Sequence, residues 1–242
     1  MVDICRHEEH ASQVRKEKKK KREPQWPASQ VPSPLLVYKM IVLQTVMDVE
    51  TYLELFKDGC PDSLRPMMCP HCQEQLMLHR HGHYERTVYF LDNQFLIVVY
   101  RFKCPKCNHT DGLLPSFVGK NQQAAWDIQE TVLREQAAGA SLADVAENLD
   151  DVPGGPYTEK TLWRWVSRWG RELPQWIPAA WAFLLKRIPH AKIRAGAKKP
   201  WQEWEWLFDA WDQMQAKAPE PQVENLLHWL YRQAHSVAAA VG

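Results

Sequence analysis

Residues 69–107 read CPHCQEQLMLHRHGHYERTVYFLDNQFLIVVYRFKCPKC, and the rest of the chain is best understood outward from them. Each end carries a C-P-x-C pair, Cys69 with Cys72 and Cys104 with Cys107. A two-residue gap lets both thiolates of a tight turn point at one ion, and the proline after the first cysteine presets that turn. Between the pairs, residues 84–91 and 95–102 are β-branched and aromatic runs joined by Asp92-Asn93-Gln94. That is a hairpin pattern, and it returns the second turn to the side of the first. Four thiolates at about 2.3 Å complete a tetrahedral shell closed to water. The expectation is one structural zinc ion on Cys69, Cys72, Cys104 and Cys107, in a small β zinc ribbon. Such an ion supplies folding energy that so short a segment lacks in apolar burial. Iron accepts the same ligands, so the spacing defines the site more sharply than the ion. A closed four-sulfur site has no open position, so His71, His79, His81, His83 and His109 read as surface histidines. Cys5 and Cys60 read as free thiols, with Cys60 near enough in sequence to substitute as a ligand.

Downstream of the ribbon the apolar period changes to that of helices. Trp126, Ile128, Val132 and Leu133 define a helix ending at Gly139, and Ser141 with Asp144 reads as a capping box for a second. After the loop containing Pro153-Gly-Gly-Pro156, Thr158 caps a third helix with Leu162, Trp165, Val166 and Trp169 on one face. Lys160, Arg164, Arg168 and Arg171 fall at i, i+4, i+8 and i+11, a basic stripe beside that apolar one. A short capped helix followed by a basic one is the order in which a recognition helix enters a DNA major groove. Thr158, Glu159, Thr161 and Trp163 at its start are candidates for base-edge or sugar contacts. Acidic residues outnumber basic ones across 121–173, so Asp144, Glu147, Asp150 and Asp151 must sit away from phosphates.

Upstream, residues 1–34 join the run RKEKKKKR to a proline-rich stretch with little to bury, and a disordered arm is expected. It is either a solvated tail or an arm that grips nucleic acid. Residues 36–46 read as a strand, and Asp48 caps a short helix bearing Val49, Tyr52, Leu53 and Phe56, ended by Gly59.

The chain's 242 residues are 45% hydrophobic and 24% charged, an ordinary globular balance, and the net charge of +1 excludes a global field that steers polyanions. The longest mostly apolar stretch, 176–185, contains a proline and is half of the roughly 20 residues needed to span a bilayer. With a charged N-terminus, this predicts a cytoplasmic protein without a membrane segment. Twelve tryptophans are unusual, and Trp176, Trp181, Trp201, Trp204, Trp206, Trp211 and Trp229 crowd the C-terminal end at helical spacing. Most are expected in the core, with enough rings to leave a homodimer or partner surface. The basic stretch 186–199 has no acidic residue and suits phosphates. Glu203, Glu205, Asp209 and Asp212 read as a solvated helix face.

The fold class expected is α+β, divided as arm 1–34, strand-helix lead-in 35–64, zinc ribbon 65–120, helix-turn-helix 121–173 and Trp-rich helical region 174–242. The succession CPHC, HGHYERTVYF, YRFKCPKCNHTDGLLPSF, GASLADVAENL and TEKTLWRWVSRW resembles the zinc-ribbon and helix-turn-helix front end of bacterial insertion-sequence transposases and their stand-alone relatives. The resemblance covers roughly 65–171. It implies recognition of transposon-end or related duplex DNA, with Cys69, Cys72, Cys104 and Cys107 as metal ligands and the helix over 158–171 as the reader. A transposase nuclease domain needs carboxylates held on a mixed sheet, and the helical sequence after Arg171 has no strand runs to build one. The expected function is therefore a non-enzymatic, sequence-specific DNA-binding accessory or regulatory protein of mobile-element origin. Its expected partners are duplex DNA and a transposase or other nucleic-acid enzyme. The alternative is an adaptor that docks such an enzyme through its ribbon and Trp-rich helices.

Overall fold

The computed structural model describes residues 41–43, 47–191, 196, 200–217, 223 and 225–240. The N-terminal arm, Cys5, most of the expected strand over 36–46 and half of the basic stretch 186–199 lie outside them. The architecture is mixed α and β, a four-stranded sheet with helices following it, consistent with an α+β class.

The hairpin forms where its alternation placed it. Strands β2 (His79–Tyr89) and β3 (Gln94–Lys103) pair antiparallel from Tyr89↔Gln94 outward, and a bulge between Arg80 and His83 accommodates Gly82 at φ +88°. Strand β4 (Thr110–Leu114), which no pattern in the sequence announced, pairs antiparallel with β3 and parallel with β1 (Ile41–Val42), giving the order β1-β4-β3-β2. Helix α1 (Val49–Phe56) starts at Asp48, whose Oδ1 accepts the Thr51 amide at 2.7 Å. Hydrogen bonding from the Thr51 side chain, with that from its amide, holds the Asp48 carboxyl below its usual range. Tyr52 Oη donates to the Val98 carbonyl at 2.8 Å, and Val49, Tyr52 and Phe56 complete a core with Ile97, Val99, Phe102 and Phe117.

Five helices follow among the described residues: α2 (Trp126–Ala137), α3 (Leu142–Asn148), α4 (Glu159–Arg187), α5 (Pro200–Lys217) and α6 (Leu226–Ala240). The capping box at Ser141 and Asp144 and the Thr158 cap both form. Helix α4 differs from expectation in length, continuing through Pro174 and Pro178 for 29 residues. The division placed at 173 thus falls inside one unbroken helix. The physical reason is burial. Leu173, Ala180, Trp181 and Leu184 continue the buried stripe of Leu162, Val166 and Trp169, while both prolines sit on the exposed face. There the carbonyl four residues earlier, deprived of its helical donor, still meets solvent.

Aromatic rings fill the helical core. Trp126 meets Trp169 edge-on at 5.7 Å, and Trp169 meets Trp204 at 6.3 Å. The carboxylate buried among the helices is fully paired. Glu130 Oε1 accepts from Arg134 Nε and Nη2 at 2.9 and 2.8 Å, and Oε2 accepts the Leu227 amide at the start of α6 at 2.9 Å. Arg134 also forms a bidentate pair with Asp212 of α5, both bonds at 2.8 Å. Burial pushes the Glu130 carboxyl above its usual range, and the adjoining Arg134 guanidinium opposes that.

Sheet and helices are also joined by polar bonds and close approach. Asp127 Oδ2 accepts the Leu91 amide at 2.9 Å, and Ala125 N donates to the Tyr89 carbonyl at 2.8 Å. Gly154, at φ +81°, lies so close to the Tyr89 ring that a Cβ would stand 2.5 Å from it. The loop leading into α4 is thereby seated on the hairpin.

Candidate metal centre and basic helix face

The two cysteine turns have the same construction. In the first, Gln73 N donates to Cys69 O at 2.8 Å and Gln73 adopts φ +57°; in the second, Asn108 N donates to Cys104 O at 3.0 Å and Asn108 adopts φ +59°. In each turn the residue after the second cysteine takes the left-handed conformation that closes the loop around the sulfurs. Lys106 of the second turn pairs with Glu74 beside the first.

Cys69 Sγ lies 3.6 Å from Cys107 Sγ, and Cys72 Sγ lies 3.7 Å from Cys104 Sγ. All four sulfurs lie within 4.8 Å of one another. Disulfide sulfurs stand about 2.0 Å apart, so these separations are not bonds. Around an ion with sulfur at about 2.3 Å, the edge of a tetrahedron is about 3.8 Å, and the two shorter separations match it. Burial pushes the Cys69 thiol up to about 12, whereas the Cys107 amide, 3.5 Å from Cys104 Sγ, draws Cys104 down to about 7. Four thiols this close cannot all ionise without a cation among them, so the donor set fits a metal ion. Cys60 is buried elsewhere, its Sγ against the Pro61 carbonyl, and does not join the cluster.

The nearby histidines separate into two groups. His79, His81 and His83 are exposed along β2, as the sequence suggests. His71 and His109 converge with Asp111 instead, their ligand atoms within 4.8 Å of one another. Sequence reasoning missed this group, because Asp111 belongs to the unforeseen strand β4. The only signal was the position of His71 inside one cysteine pair and His109 just beyond the other.

At the start of α4, Thr158, Lys160, Arg164 and Arg171 are exposed and Thr161 is partly so. Thr158 Oγ1 accepts the Thr161 amide. Trp163, 54% exposed, stands among them. Arg168 requires a correction, because it does not continue the exposed stripe. It is half-buried, donates to Gln129 Oε1, and places its guanidinium 5.8 Å from the Trp126 ring and 5.3 Å from that of Trp169. The Trp126 and Trp169 rings also line a cavity of about 310 Å³ that reaches Lys120 and Tyr231.

The expected solvated face on α5 is only partly solvated. Asp209 and Glu205 are exposed, but Glu203 accepts from Trp181 Nε1 at 3.0 Å and Asp212 holds Arg134. Trp181, Trp204, Trp211 and Trp229 are buried, and Trp176, Trp201 and Trp206 are partly so. Among the described residues no helix is long and apolar enough to cross a membrane.

Residues 69–165 match the model of a domain of unknown function, DUF6431. The match begins at the first cysteine of the candidate metal centre and ends within α4, covering less than half of the chain. No curated protein matches the chain, and no solved structure does.

Proposed function

We propose that this chain is a sequence-specific duplex DNA-binding protein of the mobile-element type, in which a zinc ion staples the ribbon and the start of α4 reads the DNA. The carrying observation is the face formed by Thr158, Lys160, Arg164 and Arg171 around the exposed ring of Trp163. Two cationic side chains a helical turn apart suit successive phosphates, and the first residues of a capped helix suit base edges. Helices α2, α3 and α4 follow one another in the order of a helix-turn-helix unit, with α4 in the position of the reader. Zinc is the preferred ion because four thiolates in a closed tetrahedron suit its lack of geometric demand and of redox chemistry.

The zinc performs no reaction in this reading. It holds the hairpin, and the hairpin sets the start of α2 through Leu91 on Asp127 and the entry into α4 through Tyr89 against Gly154. The role as accessory to a separately supplied transposase or other nucleic-acid enzyme rests on the resemblance of residues 65–171. The burial of Trp181, Trp204, Trp211 and Trp229 favours DNA binding over the adaptor reading, which needs those rings on the surface.

Fluorescence anisotropy of the full chain on duplexes enriched from genomic fragments tests this. Replacing both Lys160 and Arg164 by alanine should weaken binding and flatten the plot of log K against log salt by about 2, at roughly 0.9 per lost phosphate contact. Unchanged binding at every salt concentration, or the absence of any enriched motif, refutes the assignment.

A further inference from the structure

The fold assembles a second donor set beside the sulfur cluster. His71 projects from the first cysteine turn, His109 follows the second, and Asp111 comes from β4. Asp111 is 7% exposed. Its Oδ2 lies 2.9 Å from His71 Nε2 and 3.7 Å from His109 Nε2, while Oδ1 faces Lys120 Nζ at 3.7 Å. The two imidazole centroids are 3.2 Å apart with the planes 34° from parallel. Aromatic side chains usually keep their centroids about 4.5–7 Å apart.

Hydrogen bonding does not explain this arrangement. The 2.9 Å contact of His71 Nε2 with the carboxylate lacks hydrogen-bond geometry, and the 3.7 Å of His109 is beyond hydrogen-bond reach. His109 is therefore brought to the same oxygen, and crowded against another imidazole, without a bond to account for it. An ion between the three groups does account for it. With metal–nitrogen and metal–oxygen bonds of about 2.0–2.1 Å, ligand atoms in a tetrahedral shell stand about 3.4 Å apart. The observed 2.9 and 3.7 Å lie on either side of that edge. Lys120, on the other carboxylate oxygen, leaves Oδ2 directed at the imidazoles, as outer partners orient ligating carboxylates.

We propose that His71, His109 and Asp111 form a second metal site, separate from the four cysteines, for a borderline divalent ion such as Zn²⁺ or Co²⁺. Two imidazoles and one carboxylate are the donors such ions favour, whereas Ca²⁺ and Mg²⁺ prefer oxygen throughout. Three protein ligands leave a position for water or an anionic oxygen, so the site differs in kind from the closed sulfur cluster. His109, whose side chain is 45% exposed, lies on the side from which that ligand enters.

The full chain, stripped and reloaded with Zn²⁺ and then desalted, should retain a second ion per molecule when metal is counted by mass spectrometry. His109→Gln should lose half of the bound metal, and Asp111→Asn should do the same. The thiolate-to-metal charge-transfer band of the Co²⁺-loaded protein should remain in His109→Gln, placing the loss outside the sulfur cluster. A single ion in the unsubstituted chain overturns the proposal, as does undiminished metal in both variants. Side-chain histidine NMR of the unsubstituted protein makes the test independent of how the variants fold. The second equivalent of Zn²⁺ should shift His71 and His109, and shifts confined to His79, His81 and His83 overturn the site.

Discussion

Acidification should weaken this protein through one residue of α6, His228. It is 6% exposed, its Nε2 lies 3.0 Å from Ser116 Oγ, and Ser116 follows strand β4. Burial, reinforced by the charge of Arg232, pushes its pKa down to about 4 from the ordinary 6.5. The folded protein therefore refuses a proton that the unfolded chain accepts. Above pH 6.5 neither state is protonated and nothing is lost. As pH falls from 6.5 towards 4 the unfolded chain gains the proton and stability declines, and below 4 the loss levels off. At about 1.4 kcal/mol for each tenfold drop in proton affinity, the full loss is about 3 kcal/mol, of which about 2 kcal/mol is reached by pH 5. Urea unfolding followed by tryptophan fluorescence at pH 7.5 and 5.0 measures it, in the parent chain and in His228→Gln. Glutamine stays neutral throughout, so the parent should lose about 2 kcal/mol more than the variant over this interval. Losses shared by both proteins, including weaker metal binding, cancel in the difference. Equal losses in the two proteins refute the reasoning.

Glu130 is the point where α2, α5 and α6 are tied together. Glu130→Ala should cost about 3 kcal/mol, because it strands the Leu227 amide and removes one of the two carboxylates that face Arg134, while Glu130→Gln should cost less by retaining an acceptor. Denaturation midpoints and hydrogen exchange at Leu227 check this, and a cost below about 1 kcal/mol for the alanine variant means that Glu130 ties nothing together. Metal removal should unfold residues 65–115 before the helices, and the proposed DNA binding should be lost only as a consequence. A structural ion contributes on the order of 10 kcal/mol, comparable to the whole stability of a domain, so little of the ribbon should survive a strong chelator. Hydrogen exchange on the chelated protein reads the order, and binding lost from a ribbon that remains protected reverses it.

Much of this molecule is local in origin and was readable from the chain. The cysteine spacing, the alternation in β3, the Asp48 and Thr158 caps and the Ser141–Asp144 capping box each depend on residues within a few positions of one another. Backbone geometry alone converts such patterns into structure. Other features depend on partners far along the chain. Strand β4 is five residues with a glycine at its centre, and it is a strand because β3 and β1 offer hydrogen bonds on either side. A boundary was expected at 173, yet the buried Leu173, Trp181 and Leu184 continue the inner stripe of α4 past Pro174 and Pro178. Arg168 has the spacing of a surface cation, but Gln129 and two tryptophan rings lie within its reach and draw it inward. His71 and His109 looked like two more surface histidines. They meet because the four-cysteine hairpin folds one turn onto the other, and Asp111 reaches them because β4 is aligned on β3. Sequence determined which local pieces form and where the sulfurs gather. Tertiary packing determined which polar side chains share a space, since that depends on contacts between residues tens of positions apart.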